Sequence, residues 1–395
     1  MPAPRNLICT WPISSFHGWG VYGLHIALHL AADADLFPIF PFGTTSSHRV
    51  ITKQREEQIS GVVRASEQLA QELIALESSE VSLNHACLKA LGAGFRDGRE
   101  GVVVWGRPTL GVVFLEDTNL NKDALAQAEN FPLIITGSRW NRALLESYQL
   151  GPIETVFQGV DREVFWPGPK QGWLGEGFQI FSGGKLEYRK GQDLVLMAFK
   201  KFRQRHSDAR LITAWHSQWP ELARSLEHNP NIAALRFHRD REIDVVAWAE
   251  ANGIPGDSVV DLGRVPNQRM GKILREVDVA VFPNRAEGGT NLVAMECMAC
   301  GVPVILSENT GHLDLIGSHR TISLTEQSRV SLPGTGTEGW GESSVDEIVE
   351  SLDNAYRDRQ EAQDIGRRAA LFMRTWSWPY QVEALKQAIL PHFVE

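Results

Sequence analysis

The chain has 395 residues, 43% hydrophobic and 22% charged, which is the make-up of a soluble globular protein and too long for one small core, so two domains of ordinary size are expected. A formal net charge of −9 excludes nucleic acid as the partner, because phosphate neutralisation needs an excess of Lys and Arg. No apolar run approaches about 18 residues and the first residues lack a basic region followed by a long apolar segment, so neither a membrane span nor a secretory leader is expected. The cytoplasm is the expected compartment. The cysteines Cys9, Cys87, Cys297 and Cys300 lack a second pair at metal-ligand spacing and are expected reduced and packed. Residues 1–165 hold 13 Lys/Arg against 18 Asp/Glu, so no basic membrane-docking face is evident.

Strand and helix signals alternate along the chain, which predicts an α/β protein with mainly parallel sheets covered by helices. In the first half, strand patterns fall near residues 6–12, 36–40, 102–105, 111–114, 133–136 and 155–157. Helices are expected at 23–32, at 60–77 and at 141–148. Between the first strand and the first helix, Gly18-Trp19-Gly20-Val21-Tyr22-Gly23 satisfies G-x-G-x-x-G, the pattern of a dinucleotide fold. The acidic residue that should follow the second strand is missing: residues 36–43 read LFPIFPFG, and Asp33 and Asp35 precede them. An NAD-dependent oxidoreductase is therefore the lesser reading. Gly18 and Gly20 are expected to let the backbone approach a ligand, and Gly23 to let the helix pack closely on the strand. After the strand at 111–114, Glu116 and Asp117 can orient hydroxyls or accept a proton, with helix capping the alternative for Asp117. His17, His25, His29 and His85 are further titratable groups in this half.

The Gly/Pro-rich residues 166–177, WPGPKQGWLGEG, read as the connection to a second α/β unit. Its first strand, near 180–182, runs into Gly183-Gly184-Lys185-Leu186-Glu187-Tyr188-Arg189-Lys190, three basic side chains in a loop before a helix. Lys185 and Lys190 are the expected pair for a diphosphate. Later strand ends carry the aromatic residues 215–220, the turn Gly263-Arg264-Val265-Pro266-Asn267, and His312 with Asp314. Residues 325–344, rich in Gly, Ser and Thr, read as a surface loop. The acidic pairs Asp33/Asp35 and Asp240/Glu242 do not sit at convincing strand ends, and no metal is expected.

Residues 283–307, PNRAEGGTNLVAMECMACGVPVILS, are the most informative. A strand near 277–282, a helix near 291–300 and a strand near 302–306 form a βαβ unit. Its turn, Glu287-Gly288-Gly289-Thr290-Asn291, lies at a helix N-terminus, where orphan amides and the positive dipole end favour phosphate. Glu287 precedes the turn and Glu296 lies inside the helix, and carboxylates accept hydrogen bonds from vicinal hydroxyls. A nucleotide sugar has this layout, with a central diphosphate and a sugar at each end.

Glu296-Cys297-Met298-Ala299-Cys300-Gly301-Val302-Pro303-Val304-Ile305 resembles the E-A-M-A-x-G-x-P-V-[IV] segment of the family 4 glycosyltransferases of the GT-B fold. Gly159-Val160-Asp161 with Phe165 and Pro167, Gly184-Lys185-Leu186 with Lys190-Gly191, and Trp376-Ser377-Trp378 are similar to further segments of that family. The resemblance implies two Rossmann-like domains facing across a cleft, here 1–166 and 178–374, with 375–395 crossing back to complete the first. It implies transfer from a nucleotide-diphosphate sugar, with retention of anomeric configuration and without a cofactor, to a glycan, lipid-linked or small-molecule acceptor. Glu287, Lys190 and Lys185 are the implied catalytic groups, with Glu116 or Asp117 standing where relatives often carry a histidine. Gly18, Gly20, Gly184, Lys185, Lys190, Arg264, Gly288, Gly289, Thr290, Asn291, Leu292 and Glu296 are the implied donor-binding set. A nucleotide-sugar epimerase of the same fold is the alternative. In one departure, Glu287 and Glu296 enclose eight residues where the family has seven. Either the longer turn still presents Glu287 to the donor, or Glu287 only caps the helix.

Overall fold

A computed structural model describes residues 3–96, 101–216 and 220–393. Short apolar runs alternating with helices form two six-stranded parallel sheets, the arrangement expected when both faces of a sheet are covered. The first holds β1 (Arg5–Cys9), β2 (Leu36–Ile39), β3 (Ala86–Leu91), β4 (Thr109–Val113), β5 (Ile134–Thr136) and β6 (Ile153–Thr155), in the order β2-β1-β3-β4-β5-β6. The second holds β7 (Phe178–Gly183), β8 (Ala209–Ala214), β9 (Val259–Asp261), β10 (Val279–Phe282), β11 (Val304–Ser307) and β12 (Ile322–Leu324), in the order β9-β8-β7-β10-β11-β12. Strand order reverses between β7 and β10, and ligands bind beyond the carboxyl ends of strands at such a switch point. The loops that follow β7 and β10 carry Lys185–Lys190 and Glu287–Asn291 respectively.

One main-sheet strand escaped the sequence pattern. Val103–Trp105 pairs with Glu80–Ser82 in a separate two-stranded ribbon, and the sheet position belongs to Ala86–Leu91, ACLKAL, whose lysine interrupts the apolar run. Lys89 is nonetheless 1% exposed. Its ammonium donates to the Val104 carbonyl at 3.2 Å and lies 3.7 Å from the centre of the Trp105 ring, so the ribbon supplies the partners a buried cation requires. The first helix also begins earlier than its pattern suggested, spanning Gly18–Leu30 with His17 as N-cap.

The helix Trp378–Ile389 returns to the first body, where Trp378, Val382, Leu385 and Ile389 join its core. Trp378 stacks on His25 at 4.7 Å between ring centres. Lys386 fixes the far end by contacting Asp33 and Asp35, each at 2.7 Å. That acidic pair, a metal-like spacing in sequence, therefore anchors the last helix. Near the crossing, the Val160 amide donates to the Trp376 carbonyl at 2.8 Å.

Behind the switch point lies a fully buried ion pair. Arg285, two residues before Glu287, donates to both carboxylate oxygens of Asp193 at 2.9 and 2.6 Å, and its ring-stacked face lies 3.7 Å from the Tyr188 ring. Removing one partner of such a pair costs about 3–5 kcal/mol because it strands the other charge. The pair ties the helix after Lys190 to the turn that carries Glu287. Gly191 permits the same closeness: its φ is +70°, and a Cβ there would lie 2.2 Å from the Pro283 carbonyl oxygen.

Residues 325–344 are not a free surface loop. Gln327–Arg329 and Gly341–Ser343 pair as an antiparallel ribbon, and the residues between them reach the first body. Asp117, Thr118 and Glu116 all bond to this segment. The composition suggested exposure because Gly, Ser and Thr were read for their polarity, whereas here small residues allow close backbone contact. Among the described residues, no helix is long and apolar enough to cross a membrane.

Candidate active site

The loops at the carboxyl ends of the two sheets enclose a cavity of about 390 Å³. The first body contributes Phe16, His17, Gly18, Trp19, Phe114, Glu116 and Gln158, and the second Gly184, Lys185, Arg189, Lys190, Arg264, Asn267, Glu287, Gly289, Asn291, Leu292 and Glu296. Its wall is mainly aromatic on the first body and strongly charged on the second.

At the charged wall, Glu287 receives hydrogen bonds from the Lys190 ammonium and the Asn284 amide, with Arg189 Nη1 at 3.5 Å. Against a burial that would raise it, Lys190 and then Arg189 hold the Glu287 carboxyl at about 2, so it is an anion. Arg189 also meets Glu187 at 2.8 Å and Glu116, across the cleft, at 3.2 Å. Lys185 meets Glu187 at 2.5 Å. Three cations and three carboxylates thus interlock around the end of β7. Burial pushes the Glu116 carboxyl upward, with Arg189 opposing.

The turn resolves the question posed by the extra residue. Glu287 does not cap the helix Leu292–Ala299; the N-cap is Asn291, whose side chain accepts from the Ala294 amide. Asn291 takes a φ of +64°, a left-handed conformation that Asn tolerates better than most residues, and its Nδ2 contacts His312 Nε2 at 3.0 Å. The longer turn therefore reverses through Asn291 and leaves Glu287 on the cavity wall. Because the helix opens at Leu292, the first-turn amides beside the cavity belong to Leu292 and Val293.

Glu296 also lines the cavity and is 3% exposed. Burial raises its carboxyl to about 8, opposed by the 2.5 Å hydrogen bond from Asn267 Nδ2. Arg264 stacks over Phe16 at 4.9 Å, and His216 is also on the cavity wall. Residues 217–219 of the aromatic 215–220 loop lie outside the described residues. His17 is held at about 4 by burial, with His48 and Arg264 adding to the effect.

Several sequence assignments are corrected by this geometry. Asp117 is not on the cavity wall and caps no helix: its Oδ1 accepts from the amides of Asn119 at 2.9 Å and Gly336 at 2.7 Å, and Asn121 caps the next helix. Gly20 packs inward, its amide donating to His17 Nδ1 at 3.0 Å and a Cβ there falling 2.3 Å from that of Ser14. Gly288 is an interface residue, where a Cβ would lie 2.6 Å from the Leu115 carbonyl oxygen and whose own carbonyl accepts from Ser138 Oγ at 2.7 Å. Thr290 is fully buried, its hydroxyl against Met295 Sδ at 3.0 Å. Asp314 reaches the first body instead, accepting from the Arg139 amide at 2.8 Å. Sequence reasoning left Arg189 and Asn267 without a role. The basic triplet was the signal for the first, and the second lay in the turn already singled out for Arg264.

Two Rossmann-like bodies whose facing loops close on such a cavity make the GT-B glycosyltransferase architecture. Residues 169–372 match the family described as Glycosyl transferases group 1, and the chain belongs to that family. It is similar to D-inositol 3-phosphate glycosyltransferase of Mycobacterium marinum, with 28% identity over 265 residues, 64% of this chain and 48% of that protein. A GDP-mannose-dependent alpha-(1-6)-phosphatidylinositol monomannoside mannosyltransferase of Mycobacterium tuberculosis is 24% identical over 240 residues, 57% of this chain and 52% of that protein. The match thus spans about half the length of these curated relatives. In fold the chain resembles sucrose-phosphate synthase from Thermosynechococcus elongatus, with a TM-score of 0.64 at 15% identity over 99% of both chains. It also resembles Anabaena HepE solved with UDP-glucose, with a TM-score of 0.60 at 12% identity over 98% of this chain and 99% of that one.

Proposed function

We propose that the protein is a retaining glycosyltransferase that moves a sugar from a nucleotide-diphosphate sugar to an acceptor hydroxyl. The observation that supports this most strongly is that Lys185, Arg189 and Lys190 line one cavity together with two buried carboxylates, Glu287 and Glu296. The cations and the first-turn amides of Leu292 and Val293 receive the diphosphate. Glu296 accepts from vicinal hydroxyls at the nucleoside end, beside Arg264 and Phe16, and Glu287 from those of the transferred sugar. The aromatic wall of Trp19 and Phe114, whose rings meet edge-on at 4.8 Å, lies towards the acceptor. As the anomeric C–O bond to phosphate breaks, the new bond to the acceptor oxygen forms on the same face, and the departing phosphate oxygen takes the acceptor's proton. The cations stabilise the charge that grows on that leaving group. Glu116 orients the acceptor hydroxyl. No cofactor or metal enters this scheme.

The acceptor is a glycan, a lipid-linked sugar or a small polyol; the named relatives act on inositol phosphate and phosphatidylinositol mannoside. Four buried free cysteines suit a reducing compartment such as the cytoplasm. Incubation with UDP-, GDP- and ADP-sugars and hydroxylic acceptors, followed by NMR of the product, tests the proposal. Release of nucleoside diphosphate with a product of the donor's anomeric configuration is expected. An inverted product, or a donor epimerised without acceptor, would overturn it.

A further inference from the structure

The segment between the ribbon strands, residues 330–340, joins three chain regions that carry charged groups of the cavity. At its base, the Gly341 amide donates to the Arg285 carbonyl at 3.0 Å, and Glu342 meets Arg285 Nε at 2.7 Å. Trp340, 8% exposed, clusters with Ala286 and Val330, and Tyr188 packs against them. Ala286 precedes Glu287 and Tyr188 precedes Arg189. From the same ring, Nε1 donates to the backbone carbonyl of Glu116 at 2.9 Å, on the opposite body.

The tip completes the attachment. The Thr118 amide donates to the Gly336 carbonyl at 3.0 Å, the Gly336 amide to Asp117 Oδ1 at 2.7 Å, and the Glu338 amide to Thr118 Oγ1 at 3.0 Å. Gly336 sits so close that a Cβ there would lie 2.2 Å from the Asn119 nitrogen. Any side chain at this position forces the strap and residues 117–119 apart. At the tip the strap offers only backbone groups, the amides of Gly336 and Glu338 and the Gly336 carbonyl, so it fixes chain position rather than adding charge to the cavity.

We propose that residues 330–342 are a positioning strap, with Trp340 and Gly336 as its working contacts, that sets the Glu116 carboxylate against Arg189 and Glu287 across the cleft. The strap touches no reacting atom; it acts by holding Glu116 at the distance from the donor site that transfer requires. It rests on the glycosyltransferase reading for its catalytic consequence, and on geometry alone for its effect on residues 116–118.

Two variants separate the roles. Gly336→Ala lifts the tip, whereas Trp340→Phe keeps an aromatic ring in the cluster and removes the indole N–H with part of the ring area. In transfer assays with a saturating nucleotide sugar, kcat is expected to fall about a hundredfold for Gly336→Ala, since displacement by an ångström costs on that order. A fall of about tenfold is expected for Trp340→Phe. Donor KM stays near wild type, the signature of an interaction used only in the transition state, while the melting temperature falls modestly because buried contacts are lost. Hydrogen exchange gives a readout independent of turnover: the Thr118 amide is protected in wild type and exchanges faster in Gly336→Ala. Unchanged kcat in both variants, or a donor KM that rises in step with the fall in kcat, overturns the proposal, as does unchanged Thr118 exchange. If the wild type releases no nucleoside diphosphate from any donor, the functional reading fails, and the exchange result still decides whether the strap holds residues 116–118.

Discussion

Replacing Lys190 by alanine is expected to lower kcat for sugar transfer by about a thousandfold, the scale set by removing one preorganised group that stabilises a charged transition state. The position follows from the chain. Gly184, with a φ of +111°, and the one-turn helix Tyr188–Lys190 carry the loop from β7 back over the end of β10, and Gly191 lets it close on Pro283. The Lys190 ammonium then lies against Glu287. A diphosphate docking beside this pair meets a cation that is already desolvated. The substitution should leave the fold standing, because Glu287 keeps Asn284 and Arg189 as partners and is not stranded as an unpaired buried anion. Steady-state kinetics with circular dichroism checks both halves. Transfer at a wild-type rate would mean that positive charge at 190 does not act on the leaving group.

The second large effect concerns Glu296 and carries a sign in pH. In the folded protein burial raises its carboxyl to about 8 from an ordinary value of 4.5. The folded state therefore holds this proton more tightly than the unfolded one. Its contribution to stability is fully present below pH 4.5 and is lost as pH rises through 8. Glu296→Gln stays neutral throughout, so it should melt with wild type at pH 4 and above it at pH 9. Binding moves the other way. A hydrogen bond to a carboxylate exceeds one to an amide oxygen by about 1 kcal/mol, so with two hydroxyls nucleoside diphosphate affinity should drop by about tenfold to a hundredfold. Wild-type affinity should rise more steeply from pH 6 to 8 than the variant's, whose rise follows only the ionisation of the diphosphate itself. Melting curves and calorimetric titrations across that range measure both; a variant that is less stable at pH 9 and binds as well as wild type contradicts the assignment.

Much of this architecture was legible in the sequence because it is written in local patterns. The turn at 287–291 and the basic loop at 185–190 lie at strand ends whose apolar runs are plain, and the structure brings both to one cavity. Glu287 was uncertain by one residue; what removes it as the helix cap is a backbone conformation, Asn291 at positive φ, which no spacing rule contains. Lys89 hid a central strand because its partners, the Val104 carbonyl and the Trp105 ring, come from a ribbon distant in sequence. Asp117 looked like a catalytic carboxylate for a similar reason: its true partner, the Gly336 amide, lies 219 residues away. Gly20, Gly288 and Thr290 shared a motif with ligand-facing residues yet point into packing, since neighbours along a tight turn cannot all face one side. The strap was missed altogether, because a Gly/Ser/Thr-rich composition does not distinguish a solvated loop from one bound through its backbone.

The most direct test is a calorimetric titration of the protein with UDP, GDP, ADP and NADH, alongside a Lys185→Ala/Lys190→Ala double variant. One nucleoside diphosphate should bind the wild type saturably at a single site, and the double variant should lose that binding. Tight NADH binding with no uptake of any nucleoside diphosphate would contradict the proposed nucleotide-sugar site and return the Gly18-x-Gly20-x-x-Gly23 motif to a dinucleotide role.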